Sequence, residues 1–290
     1  MEGAASGSGA LSGAVVLLTG GSRGIGPFIA QALADRGATL ALAARSARTL
    51  EAVARTLVEG GARVEAVPVD LREQSERERL VAAVRERLGR IDVLVNNAGL
   101  ETEGAFTELE WPAVRETVEL NLLAPMALTR LVLPEMIGRG SGHVVNVASL
   151  AGKTCVPYEA VYSGTKAGLA GWTRALRLEL AGTGVRFATI FPGYVRDEGM
   201  FAKFGVKAPR IAGSCSPADV ARAVARSIER GRVETIVNSR PVRWTLAVNE
   251  LAPALGDWLM RVSGVVDFQR RKVVGSRGGG AARRGGAPGA

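Results

Sequence analysis

The stretch TGGSRGIG, residues 19–26, directly follows the apolar run AVVLLT of residues 14–19. An apolar run of this length is typical of a buried β-strand, and the glycines after it allow a close turn of the backbone. Helical spacing over residues 24–36 places a helix after the turn, so free N–H groups and a positive dipole end would face an anion. A glycine-rich turn alone is weak evidence, but between a strand and a helix it predicts a dinucleotide pyrophosphate site.

The alternation of strand and helix continues along the chain. Short apolar runs lie at 39–44, 64–69, 91–95, 143–147 and 185–191, with a last short strand at Ile236 and Val237. Helical stretches near 47–59, 74–88, 107–137, 158–181 and 217–230 separate them. Strands that are apolar throughout are expected when helices cover both faces of a sheet. The pattern predicts an α/β fold, a Rossmann-type doubly wound parallel sheet in a single domain.

The domain boundaries follow from where this alternation begins and ends. We expect a disordered segment at 1–12, a catalytic dinucleotide-binding domain at 13–240, a helical extension at 241–272 and a disordered Gly/Arg tail at 273–290. In the extension, apolar residues from Trp244 to Val262 share a helical face that Pro253 breaks. This extension could dock on the domain, cover the substrate site, or lie on a membrane surface beside its basic edge. Docking or covering is the preferred interpretation.

Composition excludes several classes of protein. The 290 residues are 47% hydrophobic and 22% charged, as in an ordinary globular protein, and two cysteines cannot form a disulfide scaffold. Six of the nine net positive charges lie at 270–290, where a solvated end is expected rather than specific nucleic-acid binding. The N-terminus lacks the pattern of a secretory signal, and no uncharged run reaches the roughly 18 apolar residues of a membrane span. A cytoplasmic location is predicted, with peripheral contact at the inner face of a membrane as the alternative.

The end of the second predicted strand bears on the choice of cofactor. An acid that would hold the ribose 2′-hydroxyl of NAD is expected there, but the sequence has Ala44 and Arg45. The planar fork of an arginine matches a 2′-phosphate, and Arg23 in the turn could contribute. Either arginine alone could be a surface charge. Together, and without a competing acid, they favour NADP(H) over NAD.

Three polar residues predict a catalytic group. Tyr162 and Lys166 are four apart in YEAVYSGTK, residues 158–166, so they share one face of a helix. Ser149 follows the strand HVVNVA of residues 143–148, at the carboxyl edge of the sheet, where ligands bind. Each alone has an ordinary explanation, since Tyr-x-x-x-Lys occurs by chance on helices and a serine often caps a turn. Because the three residues follow a nucleotide-binding turn in this order, a catalytic role is favoured over these ordinary explanations.

The chemistry of this group follows from its residue types. A free tyrosine has a pKa of about 10 and is a poor acid or base at neutral pH. The ammonium of Lys166 and a positive nicotinamide would lower the pKa of Tyr162. Tyr162 would then donate a proton to a carbonyl oxygen as hydride arrives, or accept one in reverse. Ser149 would hydrogen-bond the same oxygen, and Lys166 would also reach the nicotinamide ribose.

With these motifs, the sequence resembles the compact, single-domain branch of the short-chain dehydrogenase/reductase family, including 3-oxoacyl reductases. The resemblance covers about residues 12–238. It rests on TGGSRGIG (19–26), Asp70, NNAG (96–99), Asn121, Ser149, Tyr162, Lys166 and PG (192–193).

The resemblance implies roles for several of these residues. Asp70 would contact the adenine end of the cofactor, and Asn96 would steady the central sheet. Asn121 would bend its helix and hold a water that supplies protons; a helix-interior amide bonded to nearby backbone is the alternative. The predicted catalytic residues are Asn121, Ser149, Tyr162 and Lys166. The predicted NADP(H)-binding residues are Gly20, Ser22, Arg23, Gly24, Ile25, Gly26, Arg45, Asp70, Leu71, Asn97, Ala98, Gly99, Tyr162, Lys166, Pro192, Gly193 and Val195, and no metal ligand is predicted.

One position departs from the family. A Thr or Ser usually follows the PG pair by three or four residues and bonds the nicotinamide carboxamide, but here Asp197 stands at that place. A carboxylate can accept from the carboxamide NH2 but cannot donate. Alternatively, residues 196–198 form a solvated charge run.

Two apolar, glycine-punctuated stretches are candidates for a substrate lid. One is Leu150–Pro157, where Cys155 is interpreted as pocket lining; the other is Tyr194–Gly213, with Met200, Phe201, Phe204 and Val206. Their side chains weakly favour a lipophilic carbonyl substrate. The single histidine, His143, opens a strand and is interpreted as structural.

The predicted function is therefore NADPH-dependent reduction of a ketone or aldehyde to an alcohol. The alternatives are an NADP-binding sensor or scaffold without turnover, and a protein that acts on membranes or nucleic acid through its basic tail. A nucleotide-sugar epimerase is less favoured, because that branch resembles a different glycine spacing. The expected partners are a small-molecule carbonyl or alcohol and further copies of the chain. By the family resemblance, the helices near 107–137 and 158–181 would pair subunits into a homodimer or homotetramer.

Overall fold

One parallel sheet organises the protein. The computed structural model describes residues 9–198, 200 and 212–273. Its sheet has the strand order β3-β2-β1-β4-β5-β6-β7, with every pairing parallel. The strands are β1 (Val15–Thr19), β2 (Thr39–Ala44), β3 (Val64–Pro68), β4 (Val93–Asn96), β5 (Gly142–Val147), β6 (Val185–Pro192) and β7 (Glu234–Val237). The order reverses between β1 and β4, which opens a crevice at their carboxyl ends.

Helices cover both faces of this sheet. They are α1 (Gly26–Ala34), α2 (Ala47–Glu59), α3 (Gln74–Leu88), α4 (Trp111–Val118), α5 (Ala124–Gly138), α6 (Ala151–Thr154), α7 (Ala160–Glu179), α8 (Pro217–Arg230), α9 (Arg243–Leu251) and α10 (Pro253–Val262). Side chains of β1 alternate between two cores: Val16 and Leu18 pack with α1, α2 and α8, whereas Leu17 packs with α3 and α5. The predicted Rossmann-type doubly wound fold is confirmed.

The helix predicted at 107–137 is interrupted. A 3-10 turn (Phe106–Glu108) precedes α4, and a π-helical turn (Glu119–Leu123) joins α4 to α5. Asn121 lies in the π turn, where its Oδ1 accepts from the N–H of Leu100 (2.9 Å) and its Nδ2 donates to the Leu100 carbonyl (2.8 Å). Bonds to backbone outside the helix stabilise the wide turn, and helical periodicity does not reveal them.

Among the described residues, one helical run, Trp111–Gly138, is long and apolar enough to span a membrane by length and composition. Of its most apolar window, 44% is buried inside the protein. Leu128, Val132 and Met136 belong to the core below the sheet. This burial is typical of a core helix.

Both predicted disordered ends are too long. Leu11, placed in the segment 1–12, is 2% exposed and packs in the core beside β1. Residues 265–273 are helical, so Val273, placed in the tail, is structured and buried. An apolar side chain next to a core strand is removed from water even in a Gly/Ser-rich context. The helix break predicted at Pro253 is present between α9 and α10.

Candidate active site

The glycine turn is tightly packed against the loop after β4. Gly20 has φ +70°, and a Cβ built on Gly26 would lie 2.0 Å from the Gly20 carbonyl oxygen. Thr19 Oγ1 accepts from the N–H groups of Asn97 and Ala98, both at 3.0 Å. Asn97 Nδ2 donates to the carbonyls of Thr19 (3.0 Å) and Gly20 (3.2 Å). The turn and residues 96–99 therefore form one rigid backbone surface at the sheet edge.

The other predicted residues of the turn lie at the surface of this structure. Ser22, Gly24 and Ile25 are partly buried, and Arg23 is exposed. The backbone of Gly24 is left-handed (φ +62°), as a close turn requires. The turn thus offers backbone N–H groups and one exposed guanidinium toward solvent.

A charged cluster lies at the ends of β2 and β3. Arg45, 48% exposed, makes an ion pair with Glu116 of α4 at 3.7 Å (Nη1 to Oε1). Arg72 Nη1 contacts the same carboxylate oxygen at 2.6 Å, and its guanidinium also binds the carboxylate of Asp70. The hydrogen bond from Arg72 lowers the pKa of Asp70. Leu71, between them, is buried.

Arg72 and Glu116 were not predicted from the sequence. They are 44 residues apart, and no local spacing links α4 to the strand ends. Glu116 engages both Arg45 and Arg72, so it competes with any anion for them. Arg45 is the more exposed and the more loosely held of the two arginines.

Ser149, Tyr162 and Lys166 converge at the carboxyl edge of the sheet. Tyr162 is 7% exposed and Lys166 is 3% exposed. Lys166 Nζ lies 5.7 Å from the centroid of the Tyr162 ring and donates to the Val147 carbonyl at 3.0 Å. Ser149 lies close enough to the Tyr162 hydroxyl to lower its pKa, and Ser149 Oγ accepts from the N–H of Ala151 at 3.1 Å. The predicted group is therefore assembled in one place.

Asn121 lies next to this group. Its Nδ2 contacts Thr165 Oγ1 at 3.2 Å, between Tyr162 and Lys166 on α7. A Cβ built on Gly99 would lie 3.1 Å from Asn121 Oδ1 and 3.4 Å from Lys166 Nζ. The π turn, the loop after β4 and α7 thus meet at Gly99. Deeper in the sheet, Asn96 Nδ2 donates to Asn146 Oδ1 at 2.8 Å.

The pKa of Tyr162 differs from the sequence expectation. Burial raises it well above its ordinary value, and the negative charges of Glu101 and Glu159 raise it further; the bond with Ser149 lowers it. Burial lowers the pKa of Lys166 to about 8. Desolvation penalises the charged form of each side chain, so the phenol stays protonated at neutral pH in this structure. Burial and the surrounding carboxylates thus act against the expected lowering of the Tyr162 pKa, and the lowering beside a bound nicotinamide stays a prediction.

A second charged cluster lies beside Tyr162. Carboxylate oxygens of Glu101, Glu103 and Glu159 lie within 4.8 Å of one another. Lys272 Nζ contacts them at 2.9, 3.2 and 2.5 Å respectively, and the Lys272 side chain is 1% exposed. Burial and the neighbouring Glu101 raise the pKa of Glu159 to about 7. The solvated end expected at 270–290 therefore does not include Lys272, since its charge is neutralised inside the protein.

The loop after β6 has mixed exposure. Gly193 approaches β7 closely, because a Cβ there would lie 2.5 Å from Asn238 Oδ1. Val195 forms a single parallel bridge with Cys215. Asp197 is 74% exposed and pairs with Arg196 at 3.5 Å, the geometry of a solvated charge run. Met200 is exposed, whereas Phe201, Phe204 and Val206 lie outside the described residues.

The stretch Leu150–Pro157 contains the short helix α6. Leu150 and Ala151 are buried, and a Cβ on Gly152 would lie 2.6 Å from the Lys166 carbonyl carbon. This stretch is packed on α7, so the prediction of a lid is wrong for its first half. Cys155 is exposed. His143 is buried in β5, and burial lowers its pKa to about 3, which fits the structural interpretation.

A parallel Rossmann-type sheet with a glycine turn after β1 and a Ser–Tyr–Lys group at the same edge defines the class of dinucleotide-dependent dehydrogenases. The family model for short chain dehydrogenase matches residues 14–206. A ketoacyl reductase, HetN, from Nostoc sp. strain PCC 7120 is 43% identical over 268 residues, 91% of this chain and 93% of that protein. The chain belongs to the short-chain dehydrogenase family and is an oxidoreductase, as the sequence resemblance implies.

Solved structures show the same likeness. A metagenomic short-chain oxidoreductase in complex with NADP has a TM-score of 0.69 and 33% identity, covering 80% of this chain and all of that one. A single-residue variant of the actinorhodin polyketide ketoreductase with NADPH has a TM-score of 0.72 and 35% identity, covering 77% of this chain and 95% of that one.

Proposed function

We propose that this protein is an NADPH-dependent ketoreductase that reduces a lipophilic or acyl-type ketone to an alcohol. The observation that carries the proposal is the convergence of Ser149, Tyr162 and Lys166 at the sheet edge beside the glycine turn. Similar proteins support it: relatives are named ketoacyl reductase, and similar structures hold NADP or NADPH. The cofactor would supply hydride at its nicotinamide ring.

The residues present fit a bound dinucleotide. The glycine turn has no room for a Cβ at Gly26, and its N–H groups lie at the start of α1. Asn97 Oδ1 is buried and has no hydrogen-bond partner among the described residues, so it can accept from a ligand. Arg45 and Arg72 would bind the 2′-phosphate in exchange for Glu116, and Asp70 would contact the adenine end.

The protonation states suit reduction. With its pKa raised by burial, Tyr162 keeps its proton at neutral pH and can donate it to a carbonyl oxygen that gains charge. Ser149 would donate a hydrogen bond to the same oxygen and orient it. Lys166 would hold ribose hydroxyls, and its pKa of about 8 keeps it mostly charged at pH 7. Asn121 would position Lys166 through the contacts of the π turn.

Substitution of Tyr162 with phenylalanine tests the proposal. The variant removes only the hydroxyl, so we expect NADPH binding to stay within about twofold and ketone reduction to fall by about 10²–10⁴-fold. Fluorescence titration measures the binding, and NADPH oxidation across a panel of keto esters and aryl ketones measures the turnover. Unchanged turnover in the variant contradicts the assigned acid. NADPH binding by the wild type without turnover of any ketone favours the sensor alternative instead.

We further propose a homodimer or homotetramer assembled through α4, α5 and α7. Trp111 (66% exposed), Leu123 (44%) and Leu178 (68%) are large apolar side chains on or beside these helices. Packing of a second copy against these helices would remove such side chains from water. Light scattering of wild type and Leu178→Glu tests this, and a wild-type mass of one chain contradicts it.

A weak contact with a membrane surface through 241–272 is a separate proposal. Trp244, Leu251 and Trp258 on α9 and α10 are 82%, 87% and 55% exposed. Glu250 and Asp257 balance Arg243 and Arg261 on these two helices, so attraction to anionic lipid would come from the exposed Arg270 and Arg271. Sedimentation with anionic and neutral vesicles tests it, since a W244A/W258A variant should lose binding to the anionic ones. Equal sedimentation of both proteins contradicts the contact.

A further inference from the structure

A short helix beyond the family match contacts the start of α7, the helix that carries Tyr162. We name residues 265–273 the closing segment. Gln269 Nε2 donates to the hydroxyl of Tyr194 at 2.9 Å, and the ring of Phe268 meets the Tyr194 ring edge-on at 6.3 Å. Arg270 Nε donates to the Tyr158 hydroxyl at 2.9 Å. One segment thereby contacts the start of α7 and the loop after β6.

The centre of this contact is ionic. Gln269 and Lys272 are buried, as expected for residues three apart on one helix face. Lys272 binds Glu101 and Glu103 from the loop after β4, together with Glu159 at the start of α7. Its ammonium joins elements that are 113 and 171 residues away along the chain. A charge this deeply buried is held only where opposite charges surround it.

The cluster lies within electrostatic reach of the reacting group. Glu101, Glu159 and Lys272 all act on the pKa of Tyr162 and on that of Tyr194. Through Glu159, three residues before Tyr162 on the chain, the closing segment lies next to the position where a carbonyl would meet Tyr162. Arg271, between the two contacting residues Arg270 and Lys272, is exposed.

We propose that the closing segment completes the catalytic site within the same subunit, with Lys272 as the positioning residue that holds the loop after β4, the start of α7 and the segment itself together. The inference rests on the proposed ketoreductase function. Closed, the segment excludes water and bulky ketones from Tyr162; substrate exchange requires Lys272 to leave its three carboxylates. Substrate size is thus limited by an ion cluster rather than by the Rossmann domain alone.

The test compares Lys272→Met with Arg271→Met in the full-length protein. Methionine keeps the length and apolar stem of lysine but leaves three buried carboxylates without their cation. We expect backbone amides of residues 265–273 to exchange hydrogen at least about 100-fold faster in Lys272→Met and unchanged in Arg271→Met. In the same variant, kcat for a small keto ester should fall, while the ratio of kcat/KM for a bulky aryl ketone to that for the small ester should rise at least tenfold.

A milder variant keeps the proposal testable if Lys272→Met does not fold. Arg270→Met removes the bond to Tyr158 and the attraction to Asp267, and it should accelerate exchange of the closing segment by a smaller factor in the same direction. Wild-type exchange in both variants, or equal loss of activity for small and bulky ketones, overturns the proposal. Hydrogen exchange can be measured without turnover. If exchange is faster in the Lys272→Met variant but the wild type reduces no ketone, the ketoreductase function is refuted and the closing contact is supported.

Discussion

Replacing Arg45 with alanine should weaken NADPH binding and leave NADH binding unchanged. Arg45 is 48% exposed and held only by a 3.7 Å contact with Glu116, so it can turn to a 2′-phosphate at little cost. A hydrogen bond between charged groups contributes about 1.5–3 kcal/mol, so the Kd for NADPH should rise roughly 10- to 150-fold.

Substitution of Glu116 should have the opposite effect on NADPH binding. Its carboxylate competes with the phosphate for Arg45 and Arg72. A partly exposed ion pair is worth about 0.2–1 kcal/mol, so Glu116→Gln should tighten NADPH binding by no more than about fivefold. Screening by salt should reduce both effects.

Fluorescence titration with NADPH and NADH in parallel measures both variants. Arg48→Ala is the matched control, because Arg48 is an exposed arginine one turn further along the chain. If Arg45→Ala weakens NADPH and NADH equally, or Arg48→Ala acts as strongly, the phosphate argument is refuted.

Three further predictions concern the turn, the ion cluster and the core. Gly26→Ala should raise the Kd for NADPH more than tenfold, since its Cβ would lie 2.0 Å from the Gly20 carbonyl oxygen; Gly171→Ala, which meets nothing within 4 Å, should bind NADPH normally. Burial and Glu101 raise the pKa of Glu159 to about 7, so the contribution of Glu159 to closing is present at about pH 4.5 and is lost as pH rises toward 7. Hydrogen exchange of the closing segment, corrected for the intrinsic rate, should therefore become faster over that pH range. The variant Glu159→Gln still faces Glu101, Glu103 and Lys272, and it should flatten this pH dependence. Exchange that does not change with pH in the wild type would contradict the prediction. Asn146→Ala should lower the free energy of unfolding by about 2–4 kcal/mol in urea titrations, because Asn96 and Thr173 each lose a buried 2.8 Å partner; a loss below about 0.5 kcal/mol would show the pair to be dispensable.

Local spacing was enough to predict the fold and the central group of the site. Continuous apolar runs separated by helical stretches require a sheet covered on both faces, and the strand ends of such a sheet meet at one edge. The four-residue spacing of Tyr162 and Lys166 needs only helix geometry, and Ser149 needs only its place after β5. These features are short-range, so the amino-acid sequence encodes them directly.

The tertiary structure alone decided which distant charges meet. Glu116 pairs with Arg45 and Arg72, and Lys272 lies among Glu101, Glu103 and Glu159, because folding brings separate surfaces together. No period in the sequence distinguishes a lysine buried among carboxylates from its exposed neighbours in a basic run. The protonation of Tyr162 depends on the same folding, since burial and nearby charge set its pKa and neither is visible before the chain has packed.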